Sequence, residues 1–463
     1  MCITNINTPP NTNNTITQFL HENATHGDVI YLTGATGFIG QIILKECDND
    51  PSISKVYCPV RNKKGATGEE RFISTGLSNF KKTAYVPTTG NILPNDVTMV
   101  ILNAYEVKFF NPVDHILKNN VVAMLQILDQ CVAAGPRIKG VSVVSTAYVQ
   151  EPLPYRRREG NRISFVLREF TSASEVYEDL VNDRVSWEEL REKYSDTISS
   201  YHQMNCYAFS KHIMEHTIHE RYPKLPLCVV RPSIVAPTRD GVYGHGQKTG
   251  FPLFMEIARN PILRFPKNEG QLNLIFVEEV ARDIVKGATE YAAVASMDEN
   301  NELFHPIRSS TSSADITSIP LLDLSYGGVM RFDLGQNEKL RTFLRKLEKA
   351  VIGLLAGQKK SKLVDLVYSN FDPFMGNNWD FEKVHPVTLD DVELMGKGYY
   401  EREQQLKAFK KSEKSRDGSM SWQWMVLAMV VTLFAFLFTF YNASPLPTGG
   451  LIVRGNYSDG FYL

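Results

Sequence analysis

From Asp28 to about Asn300, short runs of apolar, often β-branched residues alternate with longer stretches whose apolar positions recur at helical spacing. Runs without a polar face fit strands covered on both sides, and the periodic stretches between them fit the covering helices. The clearest predicted strands are Val29 to Thr33, Lys55 to Val60, Val97 to Asn103, Val141 to Ser145 and Leu227 to Arg231. Predicted helices include Ile39 to Cys47, Val113 to Ala134 and Tyr207 to Arg221. Strand and helix in alternation predict an α/β fold, a Rossmann-type doubly wound parallel sheet over residues 26–304 with insertions.

The pattern changes toward both ends. Residues 1–25 are rich in Asn, Thr and Pro, with neither a basic start nor an apolar block, and read as a mobile leader rather than a secretory signal. Residues 305–335 open with HPIRSSTSSADITSIP, whose Ser, Thr and Pro content predicts a loop or linker. Helical periodicity resumes over residues 336–406, a smaller helical domain, followed by a basic juxtamembrane segment at 407–421. Trp424 to Tyr441 carries no charge, and residues 422–441 are long enough as a helix to cross a hydrocarbon core of about 30 Å. Lys407, Lys410, Lys411, Lys414 and Arg416 precede this stretch and Arg454 follows it, so the positive-inside bias predicts a tail anchor. The expected protein is single-pass, with the catalytic body in the cytosol, residues 442–463 in a lumen, and the endoplasmic reticulum or the peroxisome as its membrane.

Composition narrows the partners. Fifty basic against 51 acidic side chains leave no basic field for nucleic acid. Six cysteines, Cys2, Cys47, Cys58, Cys131, Cys206 and Cys228, include no Cys-x-x-Cys pair and read as reduced thiols. No repeat is visible, and oligomeric state is not written in the pattern.

The first predicted strand ends in Gly34-Ala35-Thr36-Gly37-Phe38-Ile39-Gly40 and leads into an apolar helix. Strand, glycine turn and helix N-terminus together let backbone approach a pyrophosphate and aim free N–H groups at it, which makes Thr33, Gly34, Thr36, Gly37, Phe38, Ile39 and Gly40 candidate dinucleotide contacts. An acidic residue after the second strand would take a ribose 2′-hydroxyl, but this chain has Val60-Arg61-Asn62-Lys63-Lys64. Arg61 and Lys64 supply counter-charge to a 2′-phosphate, so NADP(H) is expected over NAD(H).

Tyr207 has a lysine four positions on, Lys211, at the start of a predicted helix between the fourth and fifth predicted strands. That spacing puts both side chains on one helix face, where an ammonium favours ionisation of the phenol and makes it a usable acid. The same Lys211 can hold the nicotinamide ribose. Ser145 and Thr146, in VVSTAYV at the end of the fourth predicted strand, offer a hydroxyl to the reacting oxygen, Thr146 preferred and Ser145 the alternative. Asn120 is a candidate to hold a water or the backbone near Lys211.

The segments TGATGFIG, VRNKKGATGEERF, VSTAYV, NCYAFSK and VVRPSIV resemble the fatty acyl-CoA reductase family, an extended branch of the short-chain dehydrogenases with a male-sterility-type C-terminal domain. SNFDPFMGNNWDFEKV looks like the start of that C-terminal domain. The resemblance implies NADPH-dependent reduction of long-chain acyl-CoA to fatty alcohol through an aldehyde, with release of CoA. It carries Thr146, Tyr207 and Lys211 onto catalytic positions and Gly34, Gly37, Gly40 and Arg61 onto cofactor positions. Asn91, in TTGNI, stands where the family usually has an acidic residue beside the adenine.

Other patterns are weighed lower. His212-Ile-Met-Glu215-His216 spells an H-x-x-E-H zinc pattern, yet it shares the Tyr207 helix and no further ligand is evident, so no metal is expected. Cys206 is read as a packed thiol rather than a nucleophile, since adjacent helix positions face apart. Arg156, Arg157 and Arg158 form a charge run that fits either CoA phosphates or solvent. Rival readings are a membrane-bound dehydrogenase acting on a sterol or similar alcohol, and a silent NADP-binding scaffold.

Overall fold

The computed structural model describes residues 27–63, 65–88, 93–107, 111–149, 173–193, 206–244, 271–292, 307–311, 316–317 and 384–414, with 251, 305, 346 and 381. In chain order its strands are β1 (Asp28–Thr33), β2 (Ile53–Pro59), β3 (Thr83–Val86), β4 (Met99–Leu102), β5 (Gly140–Val144), β6 (Leu227–Pro232), β7 (Ile234–Ala236), β8 (Gln271–Leu272), β9 (Leu274–Phe276), β10 (Ile307–Ser310) and β11 (Ile316–Thr317). The helices are α1 (Phe38–Asn49), α2 (Gly68–Ser74), α3 (Val113–Ile116), α4 (Val122–Ala134), α5 (Ala173–Val181), α6 (Trp187–Lys193), α7 (Cys206–Arg221), α8 (Val277–Lys286) and α9 (Leu389–Lys414).

One sheet runs β10-β6-β5-β4-β1-β2-β3, and every pair in it is parallel. Alternation along the strands sends side chains to two apolar layers. Val100, Leu102, Val141, Val143, Leu227 and Val229 pack with α4, α5 and α7. Ile30, Leu32, Val56, Cys58, Ile101 and Val230 pack with α1 and α8 on the other face. Each such side chain, fully buried, contributes roughly 1.5–3 kcal/mol, which is why central strands are apolar throughout rather than alternating. The strand order reverses direction between β1 and β4, which opens a crevice at their carboxyl ends, where open α/β sheets bind ligands.

Three expectations meet a different structure. The stretch read as loop or linker contributes β10, paired with β6 from Ile307↔Val229 to Ser310↔Pro232. Its IRSS sequence lacks the apolar run of a central strand because it lies at the sheet edge. The helix expected from Val113 to Ala134 is broken into α3 and α4 by a π-helical turn at Leu117–Val121. Helix α9 continues to Lys414, through the start of the predicted juxtamembrane segment. The apolar stretch at residues 422–441, expected to span a membrane, lies outside the described residues. Among the described residues no helix is long and apolar enough to cross one.

Candidate active site

The chain leaves β1 in a turn that only small residues allow. Gly34 has φ +73°, and a Cβ on it would stand 2.9 Å from the backbone nitrogen of Ala104. The Gly37 amide donates to the Gly34 carbonyl at 2.9 Å, and a Cβ on Gly40 would collide with that same carbonyl oxygen. Gly37 caps α1 without a side chain and the first turn of α1 carries no acidic residue, so the helix N-terminus is open to an anion. These features fit a dinucleotide pyrophosphate. Thr33 acts within the fold: its hydroxyl accepts from the amides of Asn103 at 3.0 Å and Ala104 at 3.1 Å, tying β1 to the end of β4. Thr36, Phe38 and Ile39 are half-buried on the turn, and Phe38 stacks on Tyr243 with centroids 5.4 Å apart. The Tyr243 hydroxyl donates to the Phe38 carbonyl at 2.7 Å, bracing the start of α1 from outside.

Beyond β2 the basic segment is an ordered loop. Lys63 and Ala66 exchange backbone hydrogen bonds at 3.0 Å, Asn62 accepts from the Gly68 amide at 2.7 Å, and Thr67 with Glu70 forms a capping box on α2. Arg61 is exposed here, and its carbonyl accepts from the Arg71 guanidinium, which brings a further cation to the loop. Lys64 and Asn91 lie outside the described residues, as do Arg156, Arg157 and Arg158.

At the carboxyl end of β5 the side chains come together. Lys211 is buried, and its Nζ donates to the Val144 carbonyl at 2.5 Å, directly before Ser145 and Thr146. Ser145 donates to the Glu215 carboxylate, which also receives the Arg231 guanidinium, Nε lying 3.0 Å from Oε1. Glu215 and Arg231 are each 1% exposed, so this is a sealed ion pair and Ser145 belongs to it. Thr146 has looser ties, a 3.4 Å bond to the Pro232 carbonyl and a 3.3 Å bond from the Tyr148 amide. Of the two hydroxyls, Thr146 is the one less committed to the core.

The electrostatics differ from the expectation drawn from spacing alone. Burial lowers the Lys211 pKa to about 7 against an opposing pull from Glu215, and burial holds the Tyr207 phenol well above its ordinary value. The lysine therefore does not drive Tyr207 toward phenolate in this structure. Its Nζ is 6.0 Å from the Tyr207 ring centroid and 3.5 Å from that of Tyr105. The phenol stays protonated at neutral pH and can donate, but as a weaker acid than an exposed tyrosine. Asn120 accepts from the Glu106 amide at 2.9 Å, so it holds backbone next to Tyr105.

Sequence reading missed Tyr105, Glu215, Arg231 and Tyr243. Arg231 ends a strand expected to be apolar, and that misfit was the available signal. Glu215 in that pair explains the H-x-x-E-H pattern, and among the described residues no His, Cys, Asp or Glu group is arranged for a metal. Cys206 is partly buried against the apolar layer under α7.

Comparison with known proteins follows the same lines. The family model described as male sterility protein matches residues 32–92 and 87–284. A putative fatty acyl-CoA reductase of Drosophila melanogaster is 24% identical over 274 residues, 52% of this chain and 50% of that protein. A protein of Arabidopsis thaliana called fatty acyl-CoA reductase 2, chloroplastic, is 24% identical over 328 residues, 58% of this chain and 51% of its own length. The chain thus spans about half the length of these curated relatives. Among solved structures, the terminal R domain of the myxalamid PKS-NRPS pathway aligns with TM-score 0.51 at 18% identity, over 83% of this chain and 92% of that one. A thiolation-reductase di-domain from an archaeal non-ribosomal peptide synthetase gives 0.50 at 16% identity, over 85% and 97%. At these identities the structures speak for the fold.

Proposed function

Since the chain belongs to the male sterility protein family of fatty acyl-CoA reductases, we propose that it reduces a long-chain acyl-CoA to the fatty alcohol with NADPH, through an aldehyde, and releases CoA. The reading is supported above all by Lys211, whose Nζ meets the Val144 carbonyl directly before Ser145 and Thr146 and lies 6.0 Å from the Tyr207 ring centroid, on a sheet in which β5 neighbours β4 and β4 neighbours β1. Gly34, Gly37 and Gly40 hold the pyrophosphate by backbone, Arg61 and Lys64 take the 2′-phosphate, and Lys211 takes the nicotinamide ribose. When bound, NADPH supplies hydride. Thr146 hydrogen-bonds the substrate carbonyl oxygen, and Tyr207 gives its proton to that oxygen as negative charge develops there. The hemithioacetal so formed expels its sulfur as the CoA thiol, its hydroxyl proton passing to sulfur as the carbonyl re-forms, and a second hydride and proton take the aldehyde to the alcohol, so no enzyme nucleophile is needed. A lipid-phase substrate favours a membrane address, and we assign residues 422–441 as the single span of a tail anchor, with the reductase body in the cytosol at the endoplasmic reticulum or peroxisome.

Detergent-solubilised protein given palmitoyl-CoA and NADPH is expected to consume about two NADPH per CoA thiol released and to yield the alcohol. About one NADPH per thiol would move the end point to the aldehyde. No consumption and no thiol across several acyl lengths would refute the acyl-CoA reading, and turnover of a sterol ketone instead would favour the dehydrogenase rival.

A further inference from the structure

Between the glycine turn and α7 stands a side chain that the reaction scheme leaves unused. Tyr105 follows β4, one residue after Ala104, the residue against which Gly34 packs. Its ring faces the Lys211 ammonium at 3.5 Å, and the ring edge meets Tyr207 at a centroid distance of 5.7 Å and an interplanar angle of 78°. Its hydroxyl donates to Ser210 Oγ at 3.0 Å, and Ser210 in turn donates to the Tyr207 carbonyl at 2.7 Å. Among the described residues, Lys211 Nζ also meets the Val144 carbonyl and the Met214 sulfur, the latter at 4.0 Å. A buried cation gains substantially from an aromatic face, because the ring quadrupole replaces part of its lost hydration.

Resting on the reductase reading above, we propose that Tyr105 is a positioning residue for the reduction, its ring face holding the Lys211 ammonium at the β5 terminus and shielding it from solvent. The Tyr105 hydroxyl also reaches Ser210 near the start of α7, but the hold on Lys211 is made by the ring face. Asn120 supports the same point from below by holding the Glu106 amide. The loop after β4, the π-helical turn that carries Asn120 and α7 therefore meet around one lysine.

The test reads Lys211 in the full-length, detergent-solubilised protein without cofactor or substrate, below the pH of about 7 at which Lys211 gives up its proton. With isotope-labelled lysine, the Lys211 ε-methylene resonance, assigned by its loss in Lys211→Arg, is expected well upfield of the exposed lysines through the Tyr105 ring current. It should move back toward them in Tyr105→Leu and stay in Tyr105→Phe. Acylation of Lys211, followed by mass spectrometry, should be at least about tenfold faster in Tyr105→Leu and unchanged in Tyr105→Phe, the scale of a desolvated cation–ring contact. In turnover, Tyr105→Leu should lower kcat by about the same factor, and Tyr105→Phe should retain most of kcat. A wild-type resonance among the exposed lysines, or Lys211 as protected in Tyr105→Leu as in wild type, overturns the assignment, and so does Tyr105→Phe behaving like Tyr105→Leu. The wild-type spectrum decides even where a variant fails to fold. Absence of acyl-CoA turnover with these spectra as expected would sink the reductase reading and leave the Tyr105–Lys211 contact standing.

Discussion

Lys211 carries the sharpest residue-level consequence. Its folded pKa, about 7, lies below the ordinary lysine value of about 10.4. Between those values the unfolded chain holds a proton that the folded chain does not, so stability rises with pH across this window. The penalty is full below about 7 and fades as pH approaches the ordinary lysine range. Denaturant midpoints compared between wild type and Lys211→Met should therefore converge as pH is raised from neutral. Parallel curves would mean that Lys211 is not buried as described. The Tyr–Lys pair was legible in the sequence by spacing and place, but its electrostatics were not. Spacing shows that two side chains share a helix face, whereas the burial that depresses Lys211 is a tertiary property, and Tyr105, whose ring faces it, comes from a loop after β4 that no periodicity describes.

Among the elements, the turn from β1 into α1 was the most legible, because each of its glycines answers a backbone requirement. Gly40→Ala tests it. The added methyl collides with the Gly34 carbonyl, so the turn must open, and NADPH binding by fluorescence or calorimetry should fall by at least about tenfold. Unchanged affinity would place the pyrophosphate elsewhere. Strands β1, β2, β4, β5 and β6 were readable as apolar runs, but β3 and β10 were not. Thr83–Val86 is half-buried along its length, and three of the four residues of Ile307–Ser310 are polar, so neither gives the signal of a strand covered on both faces. The π-helical turn at Leu117–Val121 also left no trace in the periodicity, since one inserted residue shifts the register without removing any apolar position.

At the scale of the molecule, α9 is joined closely to the elements around the large sheet. A Cβ on Gly398 would collide with the Asp240 carbonyl, and one on Gly241 with the Met395 carbonyl, so helix and turn meet backbone to backbone. Arg239 pairs with Asp391 at 2.6 Å, and His385 Nε2 lies 2.6 Å from Asp283 on α8. The same turn carries Tyr243, which braces Phe38 at the start of α1. Gly398→Leu should lift α9 from this turn and raise hydrogen exchange at Thr238 to Tyr243 and at the α1 N-terminus; exchange unchanged at both would show that α9 does not brace them. Such contacts between distant glycines are invisible in a single sequence, which is why residues 336–406 read only as a helical unit.

The central claim is that Tyr207 supplies the proton to a thioester carbonyl under reduction. Its most direct test is a single-turnover comparison of wild type and Tyr207→Phe, with NADPH oxidation and CoA thiol followed together and NADPH affinity measured separately. The account predicts that Tyr207→Phe binds NADPH as wild type does but loses about a hundredfold or more in both oxidation and thiol release, the usual range for removing a general acid. Equal rates in the two proteins would contradict it.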